Sequence, residues 1–181
     1  MSLQVFPVAG GARISNDFND GSNPAFRKHL GNDLFAPMGT PVVAVDFGIV
    51  RFGTDTFGGN VANLTSSFDG NRYYYAHLSG WEGNAREVEP GEIIGYVGMT
   101  GNAQGTTPHV HFEMRPGGGS PVDPGPFLRK ANVIANPRER GVSPGRGLLI
   151  PALVLLMGAA AGYAYLRPAK ADAIWRRVKA W

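Results

Sequence analysis

PHVHFEM, residues 108–114, sets imidazole and carboxylate side chains in strict alternation with apolar ones: His109, His111 and Glu113 are separated by Val110 and Phe112, with Met114 following. A period of two is that of a β-strand, in which successive side chains point to opposite faces of a sheet. Both histidines and Glu113 therefore share one face, and the apolar residues supply the other to a core. Working outward, the same kind of short apolar or alternating run recurs at 42–45, 47–52, 61–65, 72–78 and 93–97, parted by FGGN, FDGN and EPGE. Such close spacing suits antiparallel hairpins and short loops, because parallel strands need crossover connections of a dozen residues or more. With 26 Gly and 14 Pro in 181 residues, the chain is expected to form a compact, mainly β, antiparallel domain.

Charge divides the chain into two parts. Residues 1–135 carry nine Lys/Arg against twelve Asp/Glu, a balance of −3, whereas residues 136–181 carry eight against two, a balance of +6. The basic excess therefore belongs to the tail, where it brackets an apolar run. That arrangement argues against a nucleic-acid partner and for membrane phosphate. GLLIPALVLLMGAAAGYAYL, residues 147–166, holds no charge. As a helix rising about 1.5 Å per residue it would span about 30 Å, the thickness of a bilayer's hydrocarbon core.

The expected organisation is a β domain over 1–130, a Pro/Gly-rich linker over 131–146, a transmembrane helix over 147–166 and a basic amphipathic tail over 167–181. Membrane lipid is then the partner of residues 147–181. Basic residues beyond the span outnumber those before it, which favours a cytoplasmic C-terminus. The first thirty residues lack the pattern of a secretory signal, so the expected localisation is a single-pass membrane protein anchored near its C-terminus. That layout is unusual for a resident of the cell envelope and would suit a bacteriophage protein carried in a virion membrane or deployed at lysis.

The chain has no cysteine, so any metal must be held by His, Asp or Glu. His29 and Asp33 form an H-x-x-x-D unit in HLGNDLFAPMGTPVVAV (29–45), where Gly31 and Pro37 argue against a helix. In an extended segment the even separation returns both side chains to one face. Two imidazoles and a carboxylate with an open position form the ligand set of many catalytic zinc sites. His77 lies in YYYAHLS, at the end of a tyrosine-rich strand. Nearby candidates are Tyr75, two residues earlier, for contact with substrate or with a developing oxyanion, and Glu113, for orienting a ligand imidazole. Asn16 and Asp17 precede the first ligand by a stretch able to approach the site.

Taken in order, H-x-x-x-D, Y-x-H-L, G-x-T-G and H-x-H-F-E resemble the lysostaphin/LytM-type metallopeptidases, from about residue 16 to residue 124. HLGNDLFAPMGTPVVAV, GIVRFG, FGGNVANL, YAHLS, EPGEIIGYVGMTG and GNAQGTTPHVHFE carry the likeness. The resemblance implies one zinc ion bound by His29, Asp33 and His111, with His77 and His109 as the catalytic pair, and bacterial peptidoglycan as the partner. The implied activity is endopeptidase cleavage of stem peptides or cross-bridges. In that scheme His109 accepts a proton or orients the water and His77 donates to the oxyanion, although the two roles are exchangeable. The FGTDTFGGN and SGWEGNARE segments depart from the family pattern and bear on substrate choice. The competing expectation is a non-catalytic zinc-binding module for cell-wall binding or assembly.

Overall fold

In a computed structural model, which describes residues 3–21 and 28–139, the run from His109 to Arg115 lies third in a seven-stranded antiparallel sheet. The strands are β1 (Arg13–Ile14), β2 (Asn32–Phe35), β3 (Pro41–Val43), β4 (Gly48–Asp55), β5 (Gly59–Ser66), β6 (Arg72–Leu78), β7 (Gly80–Trp81), β8 (Arg86–Val88), β9 (Ile93–Tyr96) and β10 (His109–Arg115). The large sheet has the order β1-β2-β10-β6-β5-β4-β8, and β3-β9-β7 form a second, three-stranded sheet. A single helical turn, α1 (Gly125–Leu128), follows.

Alternation decides which face is covered. Val110, Phe112 and Met114 of β10, Tyr73 and Tyr75 of β6, Leu64 of β5 and Leu34 of β2 are buried, and Val42 of β3 and Ile94 of β9 join them in one core. Each large apolar side chain so buried contributes about 1.5–3 kcal/mol relative to exposure. The opposite face of the large sheet is left for polar residues. Register aligns them: Asp33 pairs with His111, His111 with Ala76, Glu113 with Tyr74 and Arg115 with Arg72.

The strands read from the sequence correspond to β3, β4, β5, β6, β9 and β10, displaced by only a few residues. Residues 131–139, expected as the start of a linker, lie against the domain instead. Asn132 bridges Val5, Arg138 bridges Glu92, and Arg138 Nη1 meets Glu89 Oε2 at 2.9 Å. These are backbone bridges and one ion pair, which leave no mark on hydropathy. Among the described residues no helix is long and apolar enough to cross a membrane; the expected helix at 147–166 and the tail at 167–181 lie outside them.

Candidate active site

β2, β10 and the loop before β2 together present a triangle of atoms that could hold a metal ion. His29, in the loop before β2, places Nε2 3.1 Å from Asp33 Oδ1 and 2.8 Å from His111 Nδ1, and His111 Nδ1 lies 3.1 Å from the same Asp33 oxygen. Two ring nitrogens and a carboxylate oxygen this close turn their lone pairs on one point. Only a proton or a cation at that point relieves the repulsion. Donor atoms about 2.0–2.2 Å from a tetrahedral zinc are separated by about 3.3 Å, so the triangle is of the size of one face of such a polyhedron. With no thiolate in the chain, imidazole and carboxylate fit zinc.

Each ligand imidazole has a carboxylate behind it. His111 Nε2 faces Glu113 Oε1 at 3.3 Å, and Glu113 Oε2 takes two bonds from Arg115, at 2.9 and 2.6 Å. Glu113 is buried, so its alignment on His111 is the reading the structure favours for it. Asp17 Oδ1 lies 3.0 Å from His29 Nδ1, although that nitrogen has no aligned hydrogen bond. Ser15 ties this carboxylate to the strand: its hydroxyl donates to Asp17 Oδ1 and accepts the Asp33 backbone N–H at 2.8 Å.

Charge follows from these contacts. Burial works against ionisation of Asp33, but the hydrogen bonds from His111 and His29 outweigh it and hold the carboxyl far below its ordinary range. Burial likewise opposes a charge on His111, yet Asp33 and Glu113 together raise its pKa to about 9. His29 is raised in the same sense, burial being outweighed by Asp33. The cluster therefore favours protonated imidazoles, and a cation binding there would have to displace those protons.

His77 and His109 stand beside the triangle with ring centroids 4.9 Å apart. His77 Nδ1 is 2.9 Å from the Thr100 carbonyl, and His109 Nδ1 is 2.7 Å from that of Thr107. A carbonyl only accepts, so each Nδ1 carries its hydrogen. In the neutral ring Nε2 is then left as a lone pair. His109 Nε2 faces Asp33 Oδ2 at 3.8 Å. Burial, reinforced by the neighbouring His109 and His111, depresses His77 to about 4 despite the Thr100 bond, so the ring is neutral at physiological pH.

His77 also carries a backbone cost. Its φ is +64°, a region that side chains other than glycine enter rarely and at the expense of about 1–3 kcal/mol. The conformation breaks the alternation of β6. Tyr75 therefore does not share a face with His77, as a spacing of two would suggest. It is fully buried in the core, where its hydroxyl accepts the Val45 N–H at 3.1 Å, so the substrate contact expected of it is not available. Tyr74, one residue earlier, faces the site instead, its hydroxyl donating to Asp55 Oδ2 at 2.6 Å.

Thr100, the threonine of the G-x-T-G unit, holds His77 in this conformation, a role that the motif alone does not reveal. Its carbonyl takes the His77 ring hydrogen. Its hydroxyl donates to Leu78 O at 2.9 Å and accepts the Asn60 N–H at 2.9 Å, while Gly58 O takes the His77 N–H at 2.7 Å. Gly59, at φ +63°, admits the approach: a Cβ there would lie 2.4 Å from Thr100 Oγ1. Thr100→Val is expected to keep metal binding, to destabilise the fold by about 1–3 kcal/mol and to lower turnover by about tenfold, with Thr100→Ser close to wild type. Equal turnover of the valine and serine variants in a single-turnover assay would refute this role.

All these groups open on one groove of about 1020 Å³, bordered by Phe57 and Asp55 on one side and by Arg72 and Arg115 farther along the sheet. The fold, the paired H-x-x-x-D and H-x-H units and the two flanking histidines are those of a metallopeptidase class. The profile of peptidase family M23 matches residues 27–124, just over half of the sequence, and the chain belongs to that family. It is 39% identical over 115 residues to the DD-carboxypeptidase/endopeptidase Mpg of Neisseria meningitidis, covering 62% of this chain and 26% of that protein. It is also 39% identical over 114 residues to the glycyl-glycine endopeptidase ALE-1 of Staphylococcus capitis, covering 60% and 31%. The catalytic domain of the antimicrobial peptidase lysostaphin from Staphylococcus simulans superposes with a TM-score of 0.55 at 31% identity, over 65% of this chain and 92% of that domain. The chain thus spans about a quarter to a third of the curated relatives' length.

Proposed function

We propose that the protein is a zinc metalloendopeptidase that hydrolyses peptide bonds of bacterial peptidoglycan. The observation that carries this reading is the convergence of His29, Asp33 and His111 on one point, with His77 and His109 beside it. A purely structural metal site is closed by four protein ligands, whereas a catalytic one keeps a position open. Membership of peptidase family M23, and relatives named as endopeptidases, support the substrate class.

Bound zinc supplies Lewis acidity and brings the pKa of a water down to about 7. The chain's own residues do the rest. Glu113, at the far nitrogen of His111, fixes that ring in place and in tautomer, so that little reorganisation is needed as charge develops. His77, neutral with its Nδ1 hydrogen committed, offers an acceptor at Nε2. This favours exchanging the roles first expected: His77 orients the attacking water, and His109 becomes the donor on receiving the proton that this water gives up. A base of pKa about 4 stores little proton from such a water, so alignment of the nucleophile is its larger contribution. From either imidazole the proton then passes to the leaving amine.

The test is release of soluble peptides from purified peptidoglycan by the full chain, with zinc and with chelator. Release that requires zinc supports the reading. A protein that binds zinc and wall but releases nothing would instead be the non-catalytic wall-binding module. Attachment to a membrane through 147–181 belongs to the same proposal and rests on the uncharged twenty-residue run bracketed by Arg146 and Arg167. Extraction of the full chain from membranes by alkaline carbonate would remove it.

A further inference from the structure

The site described above accounts for one stretch of the groove, and the sheet continues beyond it. Arg115 ends β10 and stands opposite Arg72, which begins β6; both border the groove, on the face that carries His111 and Glu113. Glu113 Oε2 occupies Nε and Nη2 of Arg115 and leaves its Nη1 free. Arg72 is exposed and makes no ion pair with any described residue. Its stem passes over Gly118, where an added Cβ would sit 3.1 Å from Arg72 Cδ. The turn bearing Gly118 is pinned to the start of β6 by the Gly117 N–H, which donates to Asn71 Oδ1 at 2.9 Å. One glutamate between two guanidinium groups leaves this end of the groove with a net positive charge.

The rest of the groove is different. Asp17, Asp20 and Asp55 border it elsewhere, and the one other Lys or Arg among the described residues that line it, Lys28, directly precedes His29, whose N–H donates to Asp20 O. The carboxylates of Asp17, Asp20 and Asp55 oppose a negatively charged group where they border the groove, and the Arg72–Arg115 end attracts one. Resting on the hydrolase reading, the geometry points to a carboxylate subsite at Arg72 and Arg115 that recognises a free carboxylate of the peptide substrate. Guanidinium is suited to this, because its planar fork matches the two oxygens of a carboxylate. His111 and Arg115 are four residues apart on one strand, about 13 Å at about 3.3 Å per residue. An extended peptide covers that in about four residues. The recognised carboxylate thus lies some three to four residues from the bond that is cut, and Arg72 acts on specificity without touching the reacting atoms.

The experiment uses the zinc-loaded full chain on two substrates: purified peptidoglycan, and the same material with its carboxylates converted to amides by carbodiimide and ammonium. Wild type is expected to release peptides from the untreated wall about tenfold or more faster than from the amidated wall, as loss of a charge-assisted contact predicts. Arg72→Gln should slow only the untreated reaction and bring the ratio close to one, while Arg72→Lys retains part of it. Equal wild-type rates on both substrates, or an unchanged ratio in Arg72→Gln, overturn the subsite and leave the hydrolase standing. No release by wild type from untreated wall removes the hydrolase and the subsite together. Arg115 is not the variant of choice, because its partner Glu113 also holds His111.

Discussion

Replacing His109 or His77 with alanine is expected to lower peptide release by about 100- to 10,000-fold, the range found when a positioned acid or base is removed, while one zinc remains bound. The separation arises because neither ring belongs to the triangle of His29, Asp33 and His111, yet His109 Nε2 lies 3.8 Å from Asp33 Oδ2 and the His77 ring stands 6.1 Å from that of His111. The double variant should be little worse than the weaker single one, since two groups that share one proton path act as a unit. Zinc content by mass spectrometry, measured with the initial rate of release, checks this. Near-native turnover in either alanine variant would take that histidine out of the chemistry, and loss of zinc in the His109 variant would make it a ligand.

Removing the metal should make stability fall with rising pH between about 6.5 and 9. His111 is raised from 6.5 to about 9 in the folded, metal-free protein, by Asp33 and Glu113 acting against burial. A raised folded pKa contributes stability that is fully present below the unfolded value and is lost as pH climbs through the folded one. Asp33 stays ionised throughout, and His29, raised in the same direction, adds to the trend. The depressed His77 acts the other way only at lower pH, its contribution being lost as pH falls from 6.5 toward 4. The loss between pH 6.5 and 9 is on the order of a few kcal/mol. Zinc binding has the opposite slope: each unit of pH below about 9 costs about a factor of ten in affinity while one proton must be displaced. Melting temperatures of chelated and zinc-loaded protein at pH 6.5 and 9 provide the measurement. A chelated protein that melts no lower at pH 9 would show that the cluster does not hold its proton.

Much of this was legible in the sequence because β-structure has a period of two. His109, His111 and Glu113 needed only that period to fall on one face, and β4, β5 and β6 announced themselves by alternation between glycine-bearing turns. The pairing of Asp33 with His111 was implied by family resemblance and is realised through the β2–β10 register. β7 and β8, of two and three residues, are too short to carry a pattern. Tyr75 was misplaced because a positive φ at His77 is invisible to alternation. Thr100 stood in the G-x-T-G unit without a role because it works through its carbonyl and a hydroxyl bridge to strands 22 and 40 residues away in the chain. Arg72 and Arg115, 43 positions apart, become neighbours only through strand register.

The grip of Thr100 on His77 has a consequence for the order of events during folding. Asp33 and His111 come from the adjacent strands β2 and β10, with His29 just upstream, so pairing at one edge of the large sheet suffices to gather them. His77 reaches its place only when the loop after β9, a strand of the other sheet, has closed over β5 and β6. Metal capture can thus precede catalytic competence. On the proposed reading, a half-assembled chain could hold its ion while the His77 ring is still out of place.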